Sequence, residues 1–334
     1  MAVVIVLFHY HVAIFQSAEM FPVCFFYVVS GFLLALRYET KPLPSWRRFF
    51  AERALRLYPM SWLALLPIAA ILLYYHEWDG TPQFFADLLL VQSYVPVKSY
   101  YFSFNTVAWF LCGLLLSYAC FPWLMRMMRR FTLRTKLWAL AAWIVLVLVV
   151  LPQLNGALRV HIYVNPVMRM MDFVTGMIAA HIYQEISKKE LNIKPAIATL
   201  LEVLPFVLVV GFTLLVIYVP SAFCYEGFVI WYLPAGMLVV VSALLNGREG
   251  LLGRLLLWKP FQWLGTISLE IYIFQILAAR IYNYLIAPIL GHYGFEAAYN
   301  LYPLFGLLVL ILISWLVHRY VTTRLWRWAK RRAS

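Results

Sequence analysis

The chain alternates between long apolar stretches and short polar segments that carry most of its charges. A helix needs roughly 20 apolar residues to cross a hydrocarbon core of about 30 Å, and ten stretches approach that length. They cover approximately residues 1–16, 20–38, 57–76, 105–125, 136–153, 168–185, 197–219, 226–246, 264–287 and 300–320. The pattern therefore predicts an all-α fold: a polytopic membrane helix bundle with about ten transmembrane helices.

Composition agrees with this class. Hydrophobic residues make up 64% of the chain and charged residues 12%, whereas soluble proteins are roughly half apolar and about a quarter charged. One longer polar connection, residues 77–104, contains a moderately apolar piece at 84–91 that we expect along the membrane interface. Because no repeat and no long polar segment is present, residues 1–334 are predicted to form a single membrane domain.

The net charge of +13 is distributed unevenly. If the N-terminus is cytoplasmic, all Lys and Arg fall on the cytoplasmic side except four in the outer half: Lys98, Arg159, Arg169 and Arg280. This asymmetry follows the positive-inside rule and places both termini in the cytoplasm, at the plasma (inner) membrane. The basic character is thereby explained by a lipid bilayer as partner and requires no nucleic acid.

One histidine lies inside the first predicted span. His9 is about 12 Å along the helix from its start, and an ionisable residue at such depth indicates a functional site. Its ordinary pKa also suits a general base. The alternative is a buried histidine that bonds to a neighbouring helix, and position alone does not separate the two.

Two arginines spaced three apart precede the third predicted span. Arg53 and Arg56 share one helix face, where two guanidinium groups can bind a phosphate-bearing ligand. Ordinary anchoring by positive charge at the cytoplasmic face is the competing interpretation and is favoured when the pair is considered alone.

Other polar residues inside spans are weaker candidates. Ser30 precedes Gly31, which indicates helix packing. Arg169 and Asp172 form an opposite-charge pair at spacing i, i+3, which is either structural or orients a polar acceptor. Glu270, about two turns into the ninth span, needs a partner or water.

No nucleophile elbow, phosphate-binding loop, dinucleotide fingerprint or metal-ligand spacing is recognisable, and we predict no metal. These residues fit a transferase that uses a cytoplasmic phosphate-bearing donor, and they also fit an anion transporter.

Six short blocks, in order, resemble the acyltransferase-3 family. They are the apolar run ending in His at 3–9, an F-F…S-G-F signature at 25–32, R-x-x-R before a proline at 53–59, a W-F-L…Y…F-P segment at 109–122, R-x-x-D-F-x-x-G at 169–176 and L-G-x-I-S-x-x-x-Y at 264–272. Together they cover nearly the whole chain.

The resemblance implies a membrane-bound O-acyltransferase, usually an O-acetyltransferase, that modifies surface glycans. It implies that acyl-CoA, usually acetyl-CoA, is the donor substrate, that no cofactor is permanently bound, and that a glycan or lipid-linked sugar is the acceptor. Carried over by match, His9 is the catalytic base, and Arg53 and Arg56 hold the acyl-CoA. Ser30, Arg169, Asp172 and Glu270 shape the site.

Three departures separate this chain from the family pattern. Members usually have an Arg about ten residues before the His, so a first span shortened at its N-terminus is expected. Leu114 stands where a common branch has Glu, and Gln275 stands where many members have His. The alternative functions are a glycan transporter or flippase and an inactive truncated relative.

Overall fold

The computed structural model describes residues 1–10, 20–189, 193–218, 226–247, 249–294, 302–325 and 327. Throughout these residues the secondary structure is helical and no β-strand occurs, which confirms the predicted all-α fold. The α-helices are α1 (Ala2–His9), α2 (Met20–Glu39), α3 (Trp46–Tyr74), α4 (Thr81–Leu88), α5 (Lys98–Tyr101), α6 (Trp109–Arg130), α7 (Leu133–Val150), α8 (Gly156–Val164), α9 (Pro166–Ser187), α10 (Pro195–Tyr218), α11 (Tyr232–Leu244), α12 (Leu251–Leu256), α13 (Lys259–Thr266), α14 (Ser268–Ile281), α15 (Ala287–His292) and α16 (Tyr302–Val317).

Seven helical stretches of the described chain are long and apolar enough to cross a membrane. They are Met20–Glu39, Trp46–Tyr74, Trp109–Arg130, Leu133–Gln153, Pro195–Tyr218, Ser268–His292 and Pro303–Leu325. The chain is thus a multi-pass membrane protein, but the predicted count of about ten spans is not confirmed.

The three remaining predicted spans fall short of these criteria for different reasons. α1 comprises 8 residues, and the predicted span 1–16 continues into positions 11–16, which lie outside the described residues. α9 has 22 residues but carries Arg169 and Asp172. α11 is a helix of 13 residues. For these segments membrane crossing stays a prediction.

Two helix boundaries differ from the apolar pattern. α3 begins at Trp46, well before the predicted start at residue 57, because a basic helical turn can extend out of the hydrocarbon. The predicted span 264–287 is interrupted: α13 ends at Thr266, α14 begins at Ser268, and a π-helical turn follows at Tyr282–Ile286. The hydrophobicity of a segment indicates whether it can lie in the membrane, but it does not indicate where a helix starts or is interrupted.

The described chain divides into two compact units, each assembled from separate stretches. The first unit consists of Met1–Glu19, Arg47–Leu115 and Leu264–Ser334. The second consists of Met20–Trp46 and Leu116–Trp263. Candidate site residues occur in both units.

In the first unit, the connection before α6 is folded into the protein interior. Asp87, Gln92 and Asn105 are each 1% exposed. The Asp87 carboxylate accepts hydrogen bonds from the Gln92 side-chain amide and, at 3.3 Å, from the Asn105 backbone N–H. Asn105 Nδ2 donates to the carbonyl oxygen of Ile273 in α14 at 3.2 Å. Burial raises the pKa of Asp87 well above its ordinary value. The connection is therefore part of the core of this unit, although the end of α4 also exposes Phe85.

In the second unit, α2 and α9 approach each other at two glycines. A Cβ atom at Gly31 would lie 2.0 Å from the carbonyl oxygen of Phe173, and one at Gly176 would lie 2.0 Å from the carbonyl oxygen of Val28. These distances are far below van der Waals contact, so both positions require glycine. Small residues that let two backbones approach closely are typical of helix pairs in membranes.

We predict that Gly31→Ala and Gly176→Ala each destabilise the protein by about 1–3 kcal/mol or more, because the new methyl group meets backbone that cannot move aside. Gly236→Ala in α11 is the matched control, since a Cβ there meets no atom within 4 Å. Thermal unfolding in detergent measures the difference. Equal unfolding temperatures for all three variants would contradict the close packing of α2 on α9.

Candidate active site

His9 is the last residue of α1, and its ring orientation is fixed by its own helix. Nδ1 of His9 lies 2.9 Å from the carbonyl oxygen of Ile5. A carbonyl oxygen can only accept a hydrogen bond, so Nδ1 donates, and Nε2 is the ring nitrogen with the lone pair. This is the tautomer in which Nε2 can act as a general base. The side chain is half-buried.

The position of His9 in the first unit is set by the residue that follows it. The hydroxyl of Tyr10 donates to the carbonyl oxygen of Gln275 in α14 at 3.3 Å, with the carbonyl oxygen of Gly306 in α16 at 3.5 Å. Tyr10 is 2% exposed. The end of α1 is therefore held between two helices that are distant in sequence.

Arg53 and Arg56 both lie on α3, in the same unit as His9. The Arg53 guanidinium lies over the Phe49 ring, 4.8 Å from its centroid, and its side chain is 15% exposed. Arg53 Nη1 is 3.8 Å from the Glu52 carboxylate, which also accepts a hydrogen bond from Arg48 at 3.1 Å. Arg56 is exposed. One arginine of the pair is thus held in place by packing, and the other extends to the surface of the unit.

Glu270 in α14 is 2% exposed, and the structure supplies the partner that the sequence required. His318 Nδ1 lies 2.9 Å from Glu270 Oε1, and the Thr322 hydroxyl donates to the same oxygen at 2.8 Å. Sequence reasoning identified Glu270 but missed His318 and Thr322. Their only signal was two polar residues four apart at the end of the last apolar stretch.

Arg169 and Asp172 form an ion pair inside the second unit. Arg169 Nη1 is 3.1 Å from Asp172 Oδ2, and both side chains are 0% exposed. The guanidinium lies 4.2 Å from the centroid of the Phe228 ring and 5.0 Å from that of Tyr163. Aromatic faces attract the cation in addition to the carboxylate. The pair, its burial and its aromatic contacts indicate a strong structural constraint on the start of α9.

Ser30 also belongs to the second unit. Its hydroxyl donates to the carbonyl oxygen of Phe26 at 2.8 Å, so this hydrogen bond stays within α2. The neighbouring Gly31 makes the contact with α9. The Ser-Gly block accordingly has an observed role in helix packing.

The predicted site residues are thus divided between the two units. The first unit contains His9, Arg53, Arg56 and Glu270, and the second contains Ser30, Arg169 and Asp172. Among the described residues, no group of three or more His, Cys, Asp or Glu side chains could hold a metal ion.

Seven helical stretches of the described chain that are apolar and long enough to span a membrane define the class as a multi-pass membrane protein. The family model described as "Acyltransferase domain" (Acyl_transf_3) matches residues 1–319. The chain belongs to the acyltransferase-3 family, which confirms the resemblance seen in its sequence.

One similar curated protein is the "Acyltransferase MdmB" of Streptomyces mycarofaciens. It is 30% identical over 179 residues, an alignment that covers 46% of this chain and 44% of the relative. The chain therefore spans less than half the length of the curated relative that it matches. No solved structure matches the chain significantly.

We predict that Arg169→Met and Asp172→Leu each destabilise the protein by about 3–5 kcal/mol, because either change leaves one buried charge without its counter-charge. The double variant should lose much less stability than the sum of the two single losses, since it removes both charges.

Lys188→Met is the control for this pair, because Glu185 at the end of α9 and Lys188 just after it form an exposed ion pair at the same spacing. Its effect should stay within about 1 kcal/mol. Unfolding in denaturing detergent measures all four variants. Additive losses in the double variant would show that the charges do not stabilise each other.

Proposed function

We propose that this protein is an acyl-CoA-dependent O-acyltransferase that moves an acyl group, most simply acetyl, to a sugar hydroxyl of a cell-surface or exported glycan. The observation that carries the proposal is the hydrogen bond from His9 Nδ1 to the Ile5 carbonyl, which places the ring proton on Nδ1 and makes Nε2 the basic ring nitrogen. Membership of the acyltransferase-3 family supports transfer of an acyl group as the reaction class.

Acyl-CoA carries several phosphates, and a transferase that uses it needs cations at the donor side. Arg53 and Arg56 are three residues apart, so they lie on the same face of α3. Guanidinium groups bind phosphate oxygens through two parallel hydrogen bonds, a geometry that lysine cannot reproduce. In the proposed topology both termini are in the cytoplasm at the inner membrane, and these arginines meet the donor there.

The reaction then takes place as a direct transfer. His9 Nε2 accepts the proton of the sugar hydroxyl while the hydroxyl oxygen attacks the thioester carbonyl carbon. A carbon–oxygen bond forms, the carbon–sulfur bond breaks, and the electron pair leaves with sulfur. The sugar ester and the CoA thiol are the products once sulfur has gained a proton.

We predict that the chain restores ester-linked acetyl groups on surface glycan in cells that lack the gene, and that His9→Ala does not. Loss of a general base typically lowers the rate by about 100- to 10,000-fold. Alkaline release of acetate from purified glycan is the measurement.

His292→Ala is the matched control, because His292 is an exposed histidine of the same unit. It should restore the esters as the unaltered chain does. Restoration by His9→Ala to the level of this control would remove His9 from the mechanism, and failure of the unaltered chain would contradict acyl transfer to glycan.

We also predict that Arg53→Ala and Arg56→Ala each raise the KM for acetyl-CoA about 10-fold or more, since a hydrogen bond to a charged group contributes about 1.5–3 kcal/mol. Acetyl transfer in membrane vesicles measures the constants. Arg47→Ala on the same helix removes an equal charge from an exposed residue and is the control. Equal KM values for all three variants would show that the effect is general electrostatics or that the donor binds elsewhere.

A further inference from the structure

The buried carboxylate of Glu270 organises a second histidine in the first unit. One carboxylate oxygen, Oε1, accepts hydrogen bonds from His318 Nδ1 at 2.9 Å and from the Thr322 hydroxyl at 2.8 Å. Because a carboxylate only accepts, His318 carries a proton on Nδ1, and Nε2 is the nitrogen that exchanges protons. A nitrogen base oriented by a carboxylate is the arrangement found in many acid–base and nucleophilic catalysts.

The backbone at this position is unusual. His318–Thr322 forms a π-helical turn that continues α16. Residues four apart lie on one side of the helix, so both side chains reach the same oxygen of Glu270. Single π turns inside longer helices are frequent at functional sites. The side chain of Glu270 is 2% exposed and that of His318 is 29% exposed, so the carboxylate is buried while the imidazole remains accessible.

Two helices place this dyad between the other candidate groups. On α14, Glu270 precedes Gln275, the contact of Tyr10, by five residues, or about 7.5 Å along the axis. On α3, the Thr322 hydroxyl lies 3.4 Å from the Met60 sulfur, and Met60 follows Arg56 by about 6 Å along the axis. The dyad therefore lies between the level of the arginine pair and that of the end of α1.

We propose that His318 is the second acid–base residue of the acyl transfer, with Glu270 and Thr322 as its positioning residues; this rests on the proposed function. As the carbon–sulfur bond breaks, protonated His318 gives its Nε2 proton to the departing sulfur, and the CoA thiol leaves neutral. His9 holds the proton taken from the sugar hydroxyl and later releases it to water, while His318 takes one from water. The charge on the protein is the same before and after each cycle.

The positions of the two histidines relative to the axis of α14 are compatible with their separate roles as base and acid. The base is hydrogen-bonded to the sugar oxygen, and the acid is hydrogen-bonded to the thioester sulfur. Between them, the sugar oxygen forms a bond to the thioester carbon, and each of these three contacts is about 3 Å long. The two imidazoles must then lie within roughly 10 Å of each other. The rise of about 7.5 Å between Glu270 and the Tyr10 contact on α14 is the axial part of that separation, and it is shorter than the limit.

The test compares two donors that differ in how much the leaving sulfur needs a proton. Acetyl-CoA releases an alkyl thiol, whereas S-(4-nitrophenyl) thioacetate releases a far more acidic aryl thiol. Membrane vesicles that contain the full chain and the glycan of the complemented cells supply the acceptor, and alkali-labile acetyl on that glycan is the readout.

We expect His318→Gln to slow transfer from acetyl-CoA about 100-fold and transfer from the aryl thioester less than about 10-fold. Glu270→Gln and Thr322→Val should show the same preference for the aryl donor with smaller losses. His9→Gln should lose transfer from both donors, because the sugar hydroxyl still needs a base. His292→Gln should behave as the unaltered chain.

An equal loss with both donors, or no loss with either, would overturn the role of His318 as an acid. The same comparison with His318→Asn and Thr322→Val decides the question if His318→Gln does not fold. Absence of transfer by the unaltered chain from acetyl-CoA would instead contradict the proposed function, and this inference with it.

Discussion

Ionisable side chains in a bundle of apolar helices must find their partners within the protein, because hydrocarbon offers neither counter-charge nor hydrogen bonds. Glu270 meets this requirement through His318 and Thr322, and Arg169 meets it through Asp172 and two aromatic rings. Each partnership joins or fixes helices at a defined level. The positions of the polar groups thus determine much of the packing around them.

The same requirement explains how the candidate site is organised. The bond from His9 to the Ile5 carbonyl selects one tautomer without using another side chain, and the adjacent Tyr10 fixes the end of α1 against α14. Orientation of a base by a second group is a common property of catalytic histidines. In this chain the backbone provides that group for His9, and a carboxylate provides it for His318.

Much of the architecture could be predicted from the sequence because the apolar stretches are long. Seven of the ten predicted spans correspond to helices of sufficient length, and the i, i+3 pair of Arg169 and Asp172 formed as expected from local spacing. The partner of Glu270 was not predictable, since His318 is 48 residues away in sequence and only the tertiary fold brings the two together. The break between α13 and α14 is likewise a tertiary feature. The Ser-Gly block indicated helix packing, but the sequence did not show that Gly31 contacts α9.

The central claim is that His9 is the base of an acyl transfer. Incorporation of radiolabelled acetyl from acetyl-CoA into alkali-labile ester, measured in vesicles with the unaltered chain, His9→Ala and His292→Ala, tests it most directly. The account predicts that His292→Ala transfers acetyl at the rate of the unaltered chain, and that His9→Ala lowers this rate about 100- to 10,000-fold. An acetyl-transfer rate that His9→Ala retains would contradict the account.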